Sequence, residues 1–536
     1  MKIRKIINLV PILLVIHVIA PAQVLSDESL KFSQLLNWVD KYYVDSVNKN
    51  ELVEKAIVEM LKSLDPHSTY LNKEEVRQMN EPLQGNFEGI GISFNILDDT
   101  IFVINPIPGG PSEKVGILAG DRIVQIDGEN VAGIGIKNSD VFAKLRGTKG
   151  TKVTVAVKRR TVQELMDFTI TRDKIPIFSL DASYIIDDKI GYIKLNRFSF
   201  TTLDEFQDAL SDLQKKGIED LILDLSNNGG GYLDVAVKLA DQFLEDQKLI
   251  VYTQGDKHPK RTYLATSRGD FEKGRLVVII DEGSASASEI VAGAIQDWDR
   301  GIIVGRRSFG KGLVQNPMIL IDSSMVRLTI ARYYTPTGRL IQKPYDKGFD
   351  EYSNDLMNRL TNGELISADS IVFPENLKYQ TLTTQRTVYG GGGIMPDYFT
   401  PFDTSYQSPY FNKLLNQGIL NLFVLNYVDD NRGDLHSDYP EFDVFNKQFF
   451  VSDKLINQLI KYAEEEGLEL NPEGLSKSKE QIRLLMKAYM ARDLWNTSEF
   501  YQIINTRNNS VVKAVEILQD TEKYQAALQH SFATGQ

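Results

Sequence analysis

Cysteine is absent from all 536 residues of the chain, and histidine occurs only five times. Without cysteine there can be no disulfide bond, no thiolate metal site, no cysteine nucleophile and no lipid-modified cysteine at a cleavage site. The histidines are widely scattered, and His17 lies in an amino-terminal apolar stretch. Because no spacing among them matches a zinc site, we expect no metal and no cofactor.

Positively charged residues are outnumbered by negatively charged ones, since the chain has 60 lysines and arginines but 72 aspartates and glutamates. The net charge of −12 makes a nucleic acid an unfavourable partner. Apolar residues make up 42% of the chain, which is enough for sizeable cores. The length predicts three or four domains.

One apolar run stands at the amino terminus. Residues 2–5 are mostly basic, residues 6–20 are apolar, and residues 20–22 read Ala-Pro-Ala. This order predicts a secretory signal peptide over residues 1–22, because the run is short for a membrane span. We therefore expect export, to the bacterial periplasm, with an uncleaved membrane anchor as the alternative.

The remaining chain changes character three times. Apolar residues recur at helical spacing over residues 23–82, and glycine-rich strands follow over residues 83–160. Strands and helices alternate over residues 161–400, which predicts an α/β core with parallel strands. Within that core, the polar residues 255–275 are predicted to form a loop. Residues 401–536 are predicted to be mostly helical.

The second of these regions, residues 83–160, resembles a PDZ domain. A glycine-rich loop leads into a strand near residue 92. The segment Ala119-Gly-Asp-Arg-Ile123 is a motif that is fairly specific for PDZ domains. The resemblance implies that backbone N–H groups of Gly89, Ile90, Gly91 and Ile92 receive a peptide carboxylate, with the peptide added as a strand. The alternative is a small β domain whose glycine loop is merely structural.

Small hydroxyl residues cluster at Gly283-Ser-Ala-Ser-Ala-Ser-Glu-Ile290, between a predicted strand and a predicted helix. A helix amino terminus favours developing negative charge, which makes Ser286 a candidate nucleophile. Locally the pattern Ser286-x-x-Glu289 is also a helix capping box, which requires no catalysis. By composition alone, Ser284 and Ser288 are equally capable of attack.

A serine becomes nucleophilic only when a base takes its proton, and no histidine lies in or between residues 281–290 and 309–312. Lys311 lies 25 positions after Ser286, between two glycines. To act as a base it needs a pKa near ~7–8 instead of ~10.4, which burial can supply. Gln315 would share a strand face with Lys311 and could orient its amine.

Two glycine-rich segments bear on phosphate and oxyanion binding. Residues 305–311 fit the start of a phosphate-binding loop, but Gly312 replaces the required Ser or Thr and a strand is predicted to follow. Residues 226–231 follow a buried strand, and their N–H groups could face an oxyanion. The alternative for the latter is a turn that needs glycine for positive φ.

Taken in order, the motifs resemble those of the carboxyl-terminal processing peptidases, a family of PDZ-containing serine–lysine proteases. The motifs are Leu64-Asp-Pro-His-Ser68, the PDZ-like unit, residues 224–231, Gly283-Ser-Ala-Ser-Ala-Ser-Glu-Ile290, Phe309-Gly-Lys-Gly-Leu-Val-Gln315, Tyr334-Thr-Pro-Thr-Gly-Arg-Leu-Ile-Gln342 and Gly393-Ile-Met-Pro-Asp397. The resemblance implies a crotonase-like α/β core with an inserted PDZ domain, whose binding of a substrate tail gates or aligns the protease.

It also implies a role for each matching residue. Ser286 is the nucleophile, Lys311 is the general base and Gln315 orients the lysine, while the N–H groups of Gly230 and Ala287 form the oxyanion hole. This chain departs from the family pattern in having Ser226 in place of the usual arginine and Arg306 in place of an acidic residue.

We therefore expect a serine endopeptidase that cleaves exported proteins at or near their carboxyl termini through an acyl-enzyme. Its partners would be substrate tails, a second copy bound through the helical segments, and an adaptor protein. The alternative function is a non-catalytic scaffold that binds carboxyl-terminal peptides through the PDZ unit.

Overall fold

The structure is a computed structural model that describes residues 26–160, 162–371 and 375–529. The predicted signal peptide, residues 1–22, lies outside the described residues. The chain divides into two compact units, the first ending at Leu64 and the second beginning at Asp65. Among the described residues, no helix is both long enough and apolar enough to cross a membrane.

The first unit contains two helices, α1 (Asp27–Tyr42) and α2 (Lys49–Lys62). The second unit opens with β1 (Thr69–Leu71) and α3 (Lys73–Gln84). The PDZ region follows and extends past its predicted end at residue 160, with β2 (Asn86–Gly89), β3 (Ile92–Leu97), β4 (Thr100–Pro106), α4 (Pro111–Lys114), β5 (Arg122–Ile126), β6 (Glu129–Asn130), α5 (Asn138–Leu145), β7 (Lys152–Lys158), β8 (Met166–Thr171) and β9 (Asp173–Pro176).

The α/β core has more strands than helices. Its elements are β10 (Leu180–Asp187), β11 (Ile190–Leu195), α6 (Thr202–Lys215), β12 (Asp220–Asp224), α7 (Leu233–Asp241), β13 (Leu249–Gly255), β14 (His258–Leu264), β15 (Leu276–Ile280), α8 (Ala287–Asp297), β16 (Ile302–Gly305), β17 (Leu313–Ile319), β18 (Met325–Tyr334), α9 (Phe349–Ser353), α10 (Asp355–Thr361), β19 (Lys378–Gln380), β20 (Thr387–Tyr389) and β21 (Tyr398–Phe399).

The carboxyl-terminal region is helical, as predicted. Its elements are α11 (Pro409–Asn416), α12 (Ile419–Asp438), α13 (Phe442–Gln448), α14 (Asp453–Glu465), α15 (Pro472–Leu494), α16 (Thr497–Ile504), α17 (Asn509–Gln519) and α18 (Thr521–Ala527). The region has two roles. Helices α11 to α16 enclose an apolar core of their own, whereas α17 and α18 pack on the sheet of the α/β core.

That sheet has six strands in the order β10-β11-β12-β15-β16-β21. All neighbours are parallel except β10 and β11, which confirms the predicted parallel core. Buried side chains of α6, α7 and α8 cover one face, and α17 and α18 cover the other. Because parallel strands end at the same edge, the segments after β12, β15 and β16 meet there.

A second sheet carries β17 beside β18, followed by β13 and β14, with β1 also paired to β18. The prediction of a loop over residues 255–275 is wrong, since β14 pairs with β13 in antiparallel register. Six of the seven residues of β14 are exposed. An edge strand whose two faces are both exposed to solvent lacks the alternation of apolar and polar residues by which a strand is recognised in a sequence.

The PDZ region has a six-stranded antiparallel sheet and its own apolar core. It also contacts α12 of the carboxyl-terminal region. Arg122 forms an ion pair of 3.0 Å with Asp429, and the Phe102 side chain packs against Leu425. Asp429 is largely buried there, so the contact excludes water.

Candidate active site

Ser286 lies in the turn between β15 and α8, at the carboxyl edge of the parallel sheet. Its φ of 54° and ψ of −107° are rarely adopted by a residue with a side chain. Such strain persists only where the surrounding contacts impose it, and it is typical of functional turns. The turn presents the Ser286 side chain at the sheet edge beside a helix amino terminus.

The three serines of the turn have different environments. The Ser284 hydroxyl donates to the Leu225 carbonyl and the Ser288 hydroxyl to the Asn228 carbonyl, each at 2.8 Å, and both serines are fully buried. Ser286 is partly exposed, and its hydroxyl does not cap the helix. Geometry therefore distinguishes Ser286 from the two serines that composition left equivalent.

The Glu289 carboxylate accepts the Ser286 backbone N–H at 2.8 Å, which is the glutamate half of the predicted capping box. Glu289 also accepts the N–H groups of Gly310 and Lys311, at 2.7 and 2.9 Å, and the Ser308 hydroxyl at 2.6 Å. One buried carboxylate thus joins the serine turn to the lysine loop.

Tyr333 of β18 joins the same two segments. Its hydroxyl lies against the carbonyl oxygen of Ser286, at 3.1 Å, and against that of Lys311. A backbone bond from the Phe309 N–H to the Ser284 carbonyl, 3.0 Å long, adds a third connection. The relative position of Ser286 and Lys311 is therefore fixed from several directions.

Lys311 is partly buried at the start of the strand pair formed by β17 and β18. Burial is the main cause that lowers the pKa of Lys311 from 10.5 to about 8, and the charge of Arg327 lowers it further. Glu289 and Asp65 act in the opposite direction. An amine with this pKa is partly neutral near pH 8 and can accept a proton.

The Lys311 amine donates to Oε1 of Gln315 at 3.2 Å, although Lys311 precedes β17 and therefore shares no strand face with Gln315. Gln315 is held in turn by His67, which lies in the Leu64–Ser68 motif, and by Arg327, which no sequence signal marked. Its Nε2 donates to the His67 carbonyl, and its Oε1 also accepts from Arg327 at 2.7 Å. The His67 ring forms a hydrogen bond of 2.5 Å with the Tyr352 hydroxyl through its Nε2 atom.

Gly230, the predicted oxyanion donor, lies directly against the serine turn. A Cβ on Gly230 would fall 2.9 Å from the Ala287 nitrogen and 2.9 Å from the Ser286 Cβ, so the two predicted donors are neighbours. However, the Gly230 N–H donates to Oδ1 of Asn228 at 2.9 Å. This donor is therefore occupied in the structure.

The predicted carboxylate loop connects β2 to β3 in the PDZ region. Gly89 ends β2, which pairs with β9, and Ile90 accepts the Ser112 hydroxyl at 2.7 Å. Gly91 has a φ of 76°, and Ile92 begins β3. Among the described strands, β3 pairs with β4 alone, so its other edge is open to an added strand.

The structure agrees with the sequence in excluding a phosphate-binding loop at residues 305–312. The segment after Gly312 is the strand β17 and not the helix that such a loop opens.

The two residues that depart from the family pattern each bind a neighbouring carboxylate through their side chains. The Ser226 hydroxyl donates to Asp224 at 2.6 Å, and Arg306 pairs with Glu282 at 2.6 Å.

Comparison with protein families gives four matches along the chain. Residues 189–349 match peptidase family S41, and residues 102–159 match a PDZ domain. Residues 20–75 match the N-terminal domain of the activating protease CtpB, and residues 410–496 match a family of unknown function.

Individual relatives agree with these matches. A carboxy-terminal-processing protease of Bartonella bacilliformis is 38% identical over 317 residues, which cover 58% of this chain and 72% of the relative. The carboxy-terminal processing protease CtpB of Bacillus subtilis is 35% identical over 318 residues, covering 58% of this chain and 65% of the relative.

Among solved structures, the photosystem II D1 C-terminal processing protease is 31% identical, with a TM-score of 0.34, over 59% of this chain and 91% of that one. The core matches peptidase family S41, the PDZ domain is present, and 72% of the Bartonella relative is covered at 38% identity. The chain therefore belongs to peptidase family S41, among the carboxy-terminal processing serine proteases.

Proposed function

We propose that this protein cleaves exported proteins at or near their carboxyl termini, as a serine endopeptidase with Ser286 as nucleophile and Lys311 as general base. One observation carries the proposal. The strained and partly exposed Ser286 turn is bonded through Glu289 and Tyr333 to the loop that holds Lys311.

In the first half of the reaction, Ser286 Oγ attacks the carbonyl carbon of the scissile bond, and its proton passes to the Lys311 amine. The carbonyl π electrons move to oxygen and form an oxyanion. When this intermediate collapses, the C–N bond breaks and Lys311 returns the proton to the leaving amine. In the second half, Lys311 takes a proton from a water that attacks the ester carbonyl. The C–O bond to Ser286 then breaks, and Lys311 returns the proton to Ser286 Oγ.

The oxyanion would be held by the N–H groups of Gly230 and Ala287. Because the Gly230 N–H is bonded to Asn228, this step requires the Gly230 N–H to leave Asn228 and turn toward the substrate. The described geometry corresponds on this view to a resting enzyme, and substrate binding would complete the oxyanion hole.

The PDZ domain would recognise the substrate tail. The open edge of β3 supplies backbone hydrogen-bonding groups for an added strand, and Phe94 with Phe142 supplies an apolar contact, their rings 5.5 Å apart. The loop from Gly89 to Ile92 would receive the terminal carboxylate.

Export, the domain boundaries and dimerisation are proposed on narrower grounds. The basic head and apolar run of residues 1–22 support a signal peptide and a periplasmic location. We propose domain boundaries at residue 83, at residue 401 and, in place of the predicted residue 161, after β9, because β8 pairs with β7 and β9 pairs with β2. None of the 16 residues of α1, all of them described, is buried, and exposed Trp38 and Leu35 support a homodimer through this helix.

The test is cleavage of a quenched fluorescent peptide with a free carboxyl terminus by the full chain. Ser286→Ala and Lys311→Ala are each expected to abolish turnover while leaving the circular dichroism spectrum unchanged. Ser288→Ala, matched in chemistry, removes only a structural hydroxyl and should retain turnover. Activity in a folded Ser286→Ala or Lys311→Ala protein would refute the assignment.

A further inference from the structure

Gln315 receives hydrogen bonds from two cationic side chains on one oxygen. Its Oε1 accepts from the Lys311 amine at 3.2 Å and from Nη2 of Arg327 at 2.7 Å. Lysine and arginine only donate, whereas the His67 carbonyl, bonded to Gln315 Nε2, only accepts. The amide therefore has one satisfied orientation, and Arg327 helps to define it.

Arg327 lies in the middle of three paired strands. On β18 it faces Pro317 of β17 on one side and Thr69 of β1 on the other. Its guanidinium is partly buried, and burial lowers the pKa of Arg327. Among the residues that the structure describes, no carboxylate lies within ion-pair distance of it. A half-buried cation without a counterion costs stability, which a purely structural role leaves unexplained.

We infer that Arg327 is a positioning residue for the proposed general base: it fixes the Gln315 amide and places a positive charge beside the Lys311 amine. The inference rests on the proposed function, since it concerns the lysine assigned there as the base. Like charges in proximity disfavour the protonated amine, so Arg327 would keep Lys311 available to accept the serine proton.

The other charged groups around Lys311 act against Arg327. Glu289 on α8 and Asp65, in the segment before β1, both favour the protonated amine. The pKa of His67 is lowered to about 3, mainly by burial, so the ring is neutral at working pH. Among these neighbours, Arg327 is the one whose charge supports a neutral lysine.

The test compares three proteins by the pH dependence of kcat/KM for the quenched peptide. In Arg327→Met the acidic limb is expected to move up by about one pH unit, so that activity at pH 7 falls about tenfold while the alkaline plateau falls less. Arg327→Lys keeps the charge and should leave the limb near its wild-type position. A structural role alone would lower Arg327→Met activity equally at every pH.

A second measurement does not require turnover. The rate at which acetic anhydride labels Lys311, followed against pH by mass spectrometry, reports the same titration. An Arg327→Met protein whose labelling curve and acidic limb both coincide with the wild type overturns the inference. If Arg327→Met does not fold, as judged by circular dichroism, Arg327→Gln takes its place in both measurements.

The Lys311→Ala protein distinguishes a failure of the proposed function from a failure of the inference about Arg327. If it keeps turnover, the proposed function fails and Arg327 has no base to position. If it is inactive while neutralisation of Arg327 leaves the limb and the labelling curve unmoved, only the inference about Arg327 fails.

Discussion

Substitution of Gly230 by alanine is the sharpest perturbation of the proposed oxyanion hole. A Cβ at this position would lie 2.8 Å from the Ala285 carbonyl oxygen, 2.9 Å from the Ala287 nitrogen and 2.9 Å from the Ser286 Cβ. Two of these atoms are backbone and the third begins the side chain of Ser286. None can rotate away, so the backbone of the turn has to move.

The size of the effect follows from two costs. The φ of Gly230 is 97°, and holding alanine in such a conformation costs about 1–3 kcal/mol of unfolding free energy. Displacement of one oxyanion donor lowers kcat about 10²–10³-fold. We therefore expect Gly230→Ala to lose kcat by that factor with little change in KM.

Gly229→Ala is the matched control, since a Cβ there would meet nothing within 4 Å. It should remain within about twofold of the wild type, because an unobstructed surface substitution costs less than about 0.5 kcal/mol. The assay is steady-state cleavage of the quenched peptide, with folding verified by urea denaturation. Equal kcat values for the two variants would refute the placement of Gly230 in the oxyanion hole.

Three further predictions follow from the surroundings of the site. Because the pKa of Lys311 is about 8 and only the neutral amine accepts a proton, kcat/KM should rise with pH through about 8, and an acidic limb at pH 6 or below would contradict this. Asp429→Ala leaves Arg122 unpaired at the PDZ contact with α12, so amides of α12 should exchange hydrogen faster; unchanged exchange would show that the ion pair does not hold the contact. The pKa of His67 is 6.5 when unperturbed and about 3 in the fold, so the unfolded chain binds more protons between these values and stability falls as pH drops below 6.5. His67→Gln should therefore lose about 2 kcal/mol less stability than the wild type between pH 7 and pH 5, as measured by urea denaturation, and identical losses would argue against a neutral buried ring.

Apolar patterning predicted the parallel core because strands buried on both faces leave continuous apolar runs and amphipathic helices leave a helical period. It could not predict β14, whose exposed residues leave neither signal. Nor could it divide the carboxyl-terminal helices by role. Helix α17 has the same amphipathic pattern as its neighbours, yet packs its apolar face on the sheet of the core.

The active-site residues were predictable where reactive residue types stand in short motifs whose order along the chain matches a known family. Ser286 and Lys311 stand in short motifs whose residue types carry a reaction, and Gln315 follows at strand spacing. Arg327 and Tyr333 carry no comparable signal, since they are single residues on a long strand whose register with β17 decides what they touch. Their contribution becomes visible only once the strands are paired.

In the proposed mechanism, Ser286 forms the acyl-enzyme. The most direct measurement is acid quenching of the full-length protein during turnover of a peptide substrate, followed by digestion and mass mapping of the acylated residue. We expect an acyl group on Ser286 in the wild type and none in the Lys311→Ala protein. An acyl group on Ser284 or Ser288, or turnover with no acylated serine, would contradict it.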